Sequence, residues 1–208
     1  MQDYKKFLTR ALESIASQTY KDIEVVIPDN SFGFTRTGID KLLKNYNLRY
    51  NRFINEEHGM AQNSNAGIKA ATGDLIKILY MDDYLAHDDA IKDIVENFNR
   101  DWLVTASIND QGYGKNLPTY NDEIHTGKNT IGSPSVLTLK KGTYFDEEMT
   151  WLLDCDLYKR LYAKYGEPAI INKIGVVIGI GTHQMTNRLS QQEKDNEHLY
   201  MNEKYENN

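Results

Sequence analysis

The sequence of 208 residues contains a single cysteine, Cys155, and it has no long apolar run. One cysteine excludes an internal disulfide and a zinc site built from several thiolates, and it favours a reducing compartment. A transmembrane helix needs about 18 consecutive apolar residues, so the sequence predicts no transmembrane segment. The first residues also lack the apolar block of a secretory signal. We therefore expect a cytoplasmic protein.

The sequence has no excess of positive charge either. Its formal net charge is −6, which disfavours a nucleic-acid partner because such partners are bound largely through their phosphates. The composition is 40% hydrophobic and 26% charged, which is typical of a globular protein. We see no internal repeat and no linker. The sequence thus predicts one domain over residues 1–190, followed by a polar tail over residues 191–208 that is frayed or marginally helical.

Short β-branched runs alternate with segments of helical periodicity along the chain. The predicted strands are residues 23–27, 48–54, 75–80, 102–107, 134–139 and 170–180, and the predicted helices are residues 7–15, 36–46, 59–71, 91–98 and 153–166. This alternation predicts an α/β fold, a Rossmann-like three-layer α/β/α sandwich with a mixed, mostly parallel sheet. Residues 108–130 have no periodicity and are predicted to form a long functional or mobile loop.

Acidic residues follow two of the predicted strands, where ligands bind in parallel α/β sheets. Asp82 and Asp83 offer adjacent hard oxygen ligands, which suit Mg²⁺ or Mn²⁺ and through it a phosphate; the alternative is a polar turn and a helix cap. In the segment Asp29-Asn30-Ser31, the aspartate could accept hydrogen bonds from a nucleobase or ribose, or close an Asx-turn. The residues alone leave both pairs of alternatives open.

Two further acids lie on the predicted helix near Cys155. Asp154 and Asp156 are two positions apart and so point about 200° away from each other, which argues against a shared site. Arg160, one turn after Asp156, indicates a surface ion pair. Trp151, one turn before Asp154, would partly desolvate that carboxyl and raise its pKa, as in a general base; a solvated aspartate is the alternative. His183 stands alone after the last apolar run, and a lone histidine is more often structural.

Five segments occur in a recognisable order. They are Leu8 to Glu24, Asp29-Asn30-Ser31, Gly59 to Asp74, Tyr80-Met81-Asp82-Asp83, and Phe145 to Leu157. Each segment is a weak signal by itself, but the order over residues 7–187 resembles family 2 glycosyltransferases with the GT-A fold. The resemblance implies transfer of a sugar from a nucleotide-diphospho-sugar, most simply a UDP-sugar, to a glycan or another hydroxyl acceptor, with inversion at the anomeric carbon.

The resemblance also implies roles for individual residues. They are Asp154 as general base, Asp29, Asn30, Ser31, Asn65 and Asp82 for binding the nucleotide-sugar, and Asp82, Asp83 and His183 for holding Mn²⁺ or Mg²⁺. The metal would offset the charge that develops on the departing diphosphate.

Three departures from the family pattern support a competing hypothesis. Family members usually begin with a strand before the first helix; here that strand is missing, so the alternatives are a truncated chain and replacement by another segment. Tyr80 occupies the first position of the metal motif, and Leu153 stands where a glutamate is common. The competing hypothesis is a non-catalytic remnant that binds nucleotide or glycan without turnover. A nucleotidyltransferase is disfavoured because no glycine-rich phosphate loop is present, and a glycosidase because no facing pair of carboxylates is evident.

Overall fold

A computed structural model describes residues 4–31 and 34–206, and within these ranges it contains seven β-strands and seven α-helices. Residues 1–3, 32–33 and 207–208 of the predicted domain and tail lie outside the described residues. The strands are β1 Glu24–Asp29, β2 Arg49–Ile54, β3 Leu75–Lys77, β4 Tyr84–Leu85, β5 Trp102–Asn109, β6 Leu137–Lys140 and β7 Ala169–Ile178. The helices are α1 Tyr4–Ala16, α2 Phe34–Leu43, α3 Met60–Ala70, α4 Ala90–Asn97, α5 Leu153–Tyr165, α6 Met185–Arg188 and α7 Gln191–Glu206.

The strands form a two-stranded sheet, β1-β2, and a five-stranded sheet in the order β3-β6-β5-β7-β4. Two pairings are parallel, β1 with β2 and β5 with β7, and the other three are antiparallel. The α/β fold and the mixed sheet are therefore confirmed, and most paired residues belong to the two parallel pairings, whereas β6 runs antiparallel to both of its neighbours. The reason lies in the connections: β6 is reached through residues 110–136, which contain only short 3-10 helices, and an antiparallel pair needs no helical crossover.

The two sheets are neighbours that share helices but not hydrogen bonds. Among the described residues, no strand pairs with β1 on the side away from β2, and none replaces the strand that the family resemblance leads us to expect. Helix α3 packs closely on β1, because a Cβ atom on Gly67 would lie 3.2 Å from the ring of Pro28. Val26 packs against the main core on one face of β1, and Val25 and Ile27 pack against a second core on the other face.

Helices cover both faces of these strands, as the layered prediction requires. The main core joins β3, β5 and β6 to α3 and α5, and the smaller core joins α1 and α2 to β1. Burial of each large apolar side chain in such cores contributes about 1.5–3 kcal/mol. The long connection before β6 is anchored as well, since Ile124 and Ile131 are fully buried. No helix in the described ranges has both the length and the apolar character needed to cross a bilayer.

Residues 191–206 belong to the segment predicted to be a frayed or marginally helical tail, and in the structure they are helical. They form α7, and Met201 on this helix is fully buried in the main core. The sequence gives little sign of this because α7 has no apolar stripe. Besides Met201, polar side chains such as Glu197 and Lys204 make contacts with partners that lie far away in sequence.

Candidate active site

One corner of the candidate site joins the turn after β3 to the segment after β7. The Oδ2 atom of Asp82 lies 2.9 Å from Nε2 of His183. Both side chains are partly open to solvent, with 25% of Asp82 and 34% of His183 exposed. The ring of Phe7 on α1 lies 4.7 Å from the His183 ring, centroid to centroid, and so closes one side of the corner. The structure thus places an accessible carboxylate beside an accessible imidazole.

Asp83 points away from this corner. Its carboxylate accepts a hydrogen bond of 2.8 Å from the backbone N–H of Gly179, and the side chain is buried. Burial, together with the neighbouring charge of Asp82, raises the pKa of Asp83 to about 7. The partly buried Lys77 acts in the opposite direction and lowers the pKa of Asp83, although desolvation lowers the pKa of Lys77 itself to about 7. This geometry does not favour the predicted role of Asp83 as a metal ligand, because adjacent residues in the turn direct their side chains in different directions.

Gly179 allows the end of β7 to approach the turn that carries both acids. A Cβ atom at this position would lie 2.3 Å from the backbone carbonyl oxygen of Asp82, which real structures do not tolerate. The glycine is therefore required by close packing of backbone on backbone.

Arg10 on α1 fixes the same corner from the other side. One guanidinium nitrogen donates to the backbone carbonyl of Asp82, and the other donates to Asp110 Oδ2 at 3.1 Å. The guanidinium also lies over the ring of Tyr84, 4.3 Å from its centroid. Asp110 in turn accepts from the backbone N–H of Ile180. Sequence reasoning missed Arg10 and Asp110, because their spacing of 100 residues leaves no local pattern.

A second corner is formed by Asp154 in the first turn of α5. Asn129 Nδ2 donates to its Oδ2 at 2.8 Å, and the backbone N–H of Cys155 donates to its Oδ1 at 2.8 Å. The Asp154 side chain is partly exposed to solvent, but protein atoms replace most of the water around its carboxyl group. This desolvation raises the pKa of Asp154 to about 6, although the two hydrogen bonds act in the opposite direction. Such a pKa suits a general base at neutral pH.

Asn129 also holds its own turn in place. Its Oδ1 accepts from the backbone N–H groups of Ile131 and Gly132, at 3.0 and 2.8 Å. The side chain therefore has a fixed orientation, with its N–H group directed at Asp154. The residue was missed because one asparagine in a segment without periodicity carries no signal of its own.

Tyr80 is coupled electrostatically to the acids of both corners. Burial raises the pKa of its hydroxyl, and the charges of Asp154, Asp83 and Asp82 raise it further, so this side chain feels all three acids. The backbone N–H of Tyr80 donates to Ser135 Oγ at 2.9 Å. Residues 129–135 therefore connect the turn after β3 to the start of α5, and both corners rest on one scaffold.

The turn after β1 is held internally. Asp29 accepts from the backbone N–H of Ser31 at 2.9 Å, which is an Asx-turn, and it pairs with Arg52, whose Nε donates at 3.0 Å. Only 2% of the Asp29 side chain is exposed. Burial alone would raise the pKa of Asp29, but the hydrogen bonds from Ser31 and Arg52 hold it below its ordinary value. The Asx-turn alternative therefore describes Asp29, and its side chain is not directed at an open surface.

Asn65 is also committed to internal contacts. Its amide donates to the backbone carbonyl of Phe145 and to Glu147, and its carbonyl accepts from the backbone N–H of Phe145 at 2.8 Å. The side chain is 1% exposed, so it does not face an open cleft. Asp156, predicted to form a surface ion pair, does pair with Arg160 at 2.7 Å, but its side chain is fully buried.

Metal-binding capacity is concentrated at the first corner. Across residues 4–31 and 34–206, no group of three or more His, Cys, Asp or Glu side chains could hold an ion. Asp82 and His183 together offer one oxygen and one nitrogen donor. This set fits a divalent cation that completes its coordination with phosphate oxygens and water, as Mg²⁺ commonly does.

The chain is similar in sequence to proteins of a known family. The profile of glycosyl transferase family 2 matches residues 2–162. The chain belongs to this family. Chondroitin synthase of Escherichia coli is 28% identical over 184 residues, which is 81% of the present chain. This family 2 member spans 26% of the length of the curated relatives that it matches.

Solved structures share the fold of this family 2 member. The S. aureus protein TarS 1–349 in complex with UDP-GlcNAc superimposes with a TM-score of 0.70 at 19% identity, covering 90% of this chain and 59% of that one. The mannosyltransferase PcManGT of Pyrobaculum calidifontis, in complex with GDP-Man and Mn²⁺, gives a TM-score of 0.63 at 14% identity, covering 86% of this chain and 55% of that one. At such identities the likeness establishes the GT-A fold.

Proposed function

We propose that this chain transfers a sugar from a nucleotide-diphospho-sugar, most simply a UDP-sugar, to the hydroxyl group of a glycan or a similar acceptor. The observation that carries the proposal is the accessible Asp82–His183 pair together with the partly exposed Asp154, and the charges of Asp82 and Asp154 both act on Tyr80. Family membership and the nucleotide-sugar complexes of the structural neighbours support the choice of donor.

Asp154 acts as the general base in this proposal. With a pKa of about 6 it is ionised at neutral pH, yet it remains basic enough to accept the proton of an acceptor hydroxyl. As the proton moves to Oδ of Asp154, the hydroxyl oxygen bonds to the anomeric carbon and the bond from that carbon to the diphosphate breaks. Attack from the face opposite the leaving group inverts the configuration.

Asp82 and His183 would hold Mn²⁺ or Mg²⁺ together with the diphosphate of the donor. When bound, the ion supplies positive charge where negative charge develops on the leaving group. Asp83 has a different part: it ties the turn to Gly179 and so fixes the direction of the Asp82 side chain. We therefore assign the metal to Asp82 and His183 and omit Asp83.

The nucleotide-binding roles also change with the geometry. Asp29 shapes the turn after β1, which leaves the partly exposed Asn30 and Ser31 to contact the nucleotide. Asn65 acts indirectly, through the segment of Phe145 that leads towards α5.

The strands form two separate sheets, β1-β2 and the five-stranded sheet, and this divided sheet favours one competing function. Among the described residues β1 pairs only with β2 and is not part of the five-stranded sheet, and the turn after β1 is where the nucleotide is expected. A domain with this defect could bind a nucleotide or glycan without turnover, as a non-catalytic remnant.

Titration calorimetry with UDP, with and without Mn²⁺, and a UDP-GlcNAc hydrolysis assay distinguish the two functions. We expect Asp82→Ala to weaken Mn²⁺-dependent UDP binding at least about tenfold, because one of two protein ligands is lost. Asp154→Asn should keep that binding and lose about 10²–10⁴ in turnover. Asp88→Ala, at an exposed aspartate nearby, is the matched control. Wild-type protein that binds UDP without hydrolysing any donor tested would support the remnant, and full activity of Asp154→Asn would exclude that residue as the base.

A further inference from the structure

Helix α7 reaches back to the turn that precedes the candidate base. The carboxylate of Glu197 accepts hydrogen bonds from three consecutive backbone N–H groups, those of Thr150, Trp151 and Leu152, at 2.8 to 3.0 Å. The partners are 45 to 47 positions apart in sequence. A single side chain of α7 thus fixes the backbone immediately before α5.

This contact replaces a cap that α5 cannot supply locally. Leu152 occupies the N-cap position, where Ser, Thr, Asp or Asn would normally accept a hydrogen bond, and its side chain has no acceptor. The carboxylate of Glu197 also places a negative charge next to the positive end of the helix dipole. Asp154 is two positions after Leu152, so the position of its backbone depends on the contact with Glu197.

A second set of contacts holds the other side of the same helical turn. Lys204 lies between Asp156 Oδ1, at 2.7 Å, and Asp146 Oδ2. Tyr205 donates its hydroxyl to Asp156 at 2.6 Å, and Tyr200 donates to Asp146 at 2.9 Å. Asp156 points away from Asp154, so α7 grips the face of α5 that is opposite the candidate base.

Trp151 provides a third contact. Its ring meets the ring of His198 on α7 edge to face, with centroids 5.3 Å apart, and its indole N–H donates to Thr186 Oγ at 3.1 Å. Polar and aromatic contacts of α7 therefore converge on one short segment, residues 146–156.

We propose that α7 holds residues 150–156, the turn that carries Asp154, in a fixed position, and we call this set of contacts the latch. Glu197 and Lys204 are then positioning residues for Asp154. The assignment rests on the proposed function of Asp154 as general base. Glu197 contacts no reacting atom; it sets the register of residues 150–152, and through them the place of the Asp154 carboxylate. Because misplacement of a catalytic group by about 1 Å costs about 10²-fold in rate, loss of the latch should lower turnover more than it lowers donor binding.

Glu197→Gln tests the latch with little change in size. One carboxylate oxygen becomes an NH₂ group, which faces backbone donors and cannot accept from them. The matched control is Glu203→Gln, at an exposed glutamate on the same helix. Lys204→Met is the second variant, since it removes the other anchor while leaving Glu197 in place.

Hydrogen–deuterium exchange read by mass spectrometry gives a result that does not depend on activity. We expect faster exchange confined to residues 146–156 and α7 in Glu197→Gln and Lys204→Met, and no change in Glu203→Gln. Unchanged exchange in residues 150–152 would overturn the proposal. Faster exchange throughout the main core would also overturn it, because Glu197 would then act on general stability and not on one turn.

UDP-GlcNAc hydrolysis gives the second measurement. We expect kcat to fall about 10- to 100-fold in Glu197→Gln while KM for the donor stays within about twofold. Local loosening with an unchanged kcat would refute the positioning role. If wild-type protein hydrolyses no donor, the proposed function fails by itself, and the exchange pattern still decides whether α7 latches the turn.

Discussion

The hydrogen bond from Asn129 to Asp154 offers the sharpest test of the proposed base. Asn129→Asp keeps the Oδ1 atom that accepts from Ile131 and Gly132, so the turn retains these two hydrogen bonds and loses the 3.1 Å donation from Nδ2 to the carbonyl of Gly132. The change replaces the N–H group that donates to Asp154 by a second carboxylate oxygen. The base then loses a donor that favours its ionised form and gains a neighbour of like charge, and both changes raise its pKa.

The size of the shift follows from the energy of the lost contact. A hydrogen bond to a charged group contributes about 1.5–3 kcal/mol, and 1.36 kcal/mol corresponds to about one pKa unit, so the pKa of Asp154 should rise by about 1–2 units. From the wild-type value of about 6, the ionised fraction at pH 6.5 would fall from about three quarters to between about a quarter and a thirtieth. Donor hydrolysis at pH 6.5 should therefore fall by about 3- to 25-fold, and the loss should shrink as the pH approaches 9.

The assay is the pH profile of kcat for UDP-GlcNAc hydrolysis from pH 5 to 9. The matched control is Asn116→Asp, which removes a 2.7 Å donation to the backbone carbonyl of Ile131 but does not touch Asp154. An unchanged profile in Asn129→Asp, or the same shift in the control, would refute the role of Asp154 as the titrating base.

Asn129→Asp should also change how the free energy of unfolding depends on pH. The native pKa of Asp154 lies above its ordinary value of 3.8, so between about pH 4 and 6 the native state binds more protons than the unfolded state. The free energy of unfolding therefore falls as the pH rises through this window, and in Asn129→Asp the fall should continue to about pH 8.

Two further predictions concern packing around the site. Gly179→Ala should weaken Mn²⁺-dependent UDP binding, because the new Cβ would collide with the carbonyl of Asp82; calorimetry should show wild-type affinity if the two backbones do not meet as described. Arg52→Met should lower the free energy of unfolding at pH 7 by about 3–5 kcal/mol in urea titrations, since Asp29 would be left buried without its partner. Arg49→Met, at an exposed pair with Asp22, should change it by less than about 1 kcal/mol and serves as the control.

The pattern of apolar residues carries most of the fold. The pattern places α1 to α5 and all six predicted strands within three residues of their observed bounds, because these elements bury apolar side chains. It cannot give strand direction, and β6 is antiparallel to both of its neighbours. It also misses β4, which has only two residues, and the docking of α7, which depends on charged side chains.

The candidate site follows a different rule. Residue type and position after a strand single out Asp82, and the family resemblance adds His183 and Asp154. The residues that orient these groups are invisible in the sequence, since Arg10, Asn129 and others act across long separations. Asp83 shows the limit of residue type: it is adjacent to Asp82 and also acidic, but its carboxylate is buried and accepts a hydrogen bond from the backbone of Gly179. Side-chain direction in a turn is a property of tertiary structure.

The divided sheet bears on how the two proposed functions can be told apart. Asp82, His183 and Asp154 are held by contacts from α1 and from the segment 129–135, next to the five-stranded sheet. The turn of Asn30 and Ser31, in contrast, follows β1 in the two-stranded sheet. Within the described residues, β1 has no backbone pairing with β3. Missing pairing on this side of β1 is therefore expected to act first on the turn proposed to bind the nucleotide, and to leave the proposed metal ligands and base in place. It should raise KM for the donor and spare kcat at saturation, whereas a true remnant would show no turnover at any donor concentration.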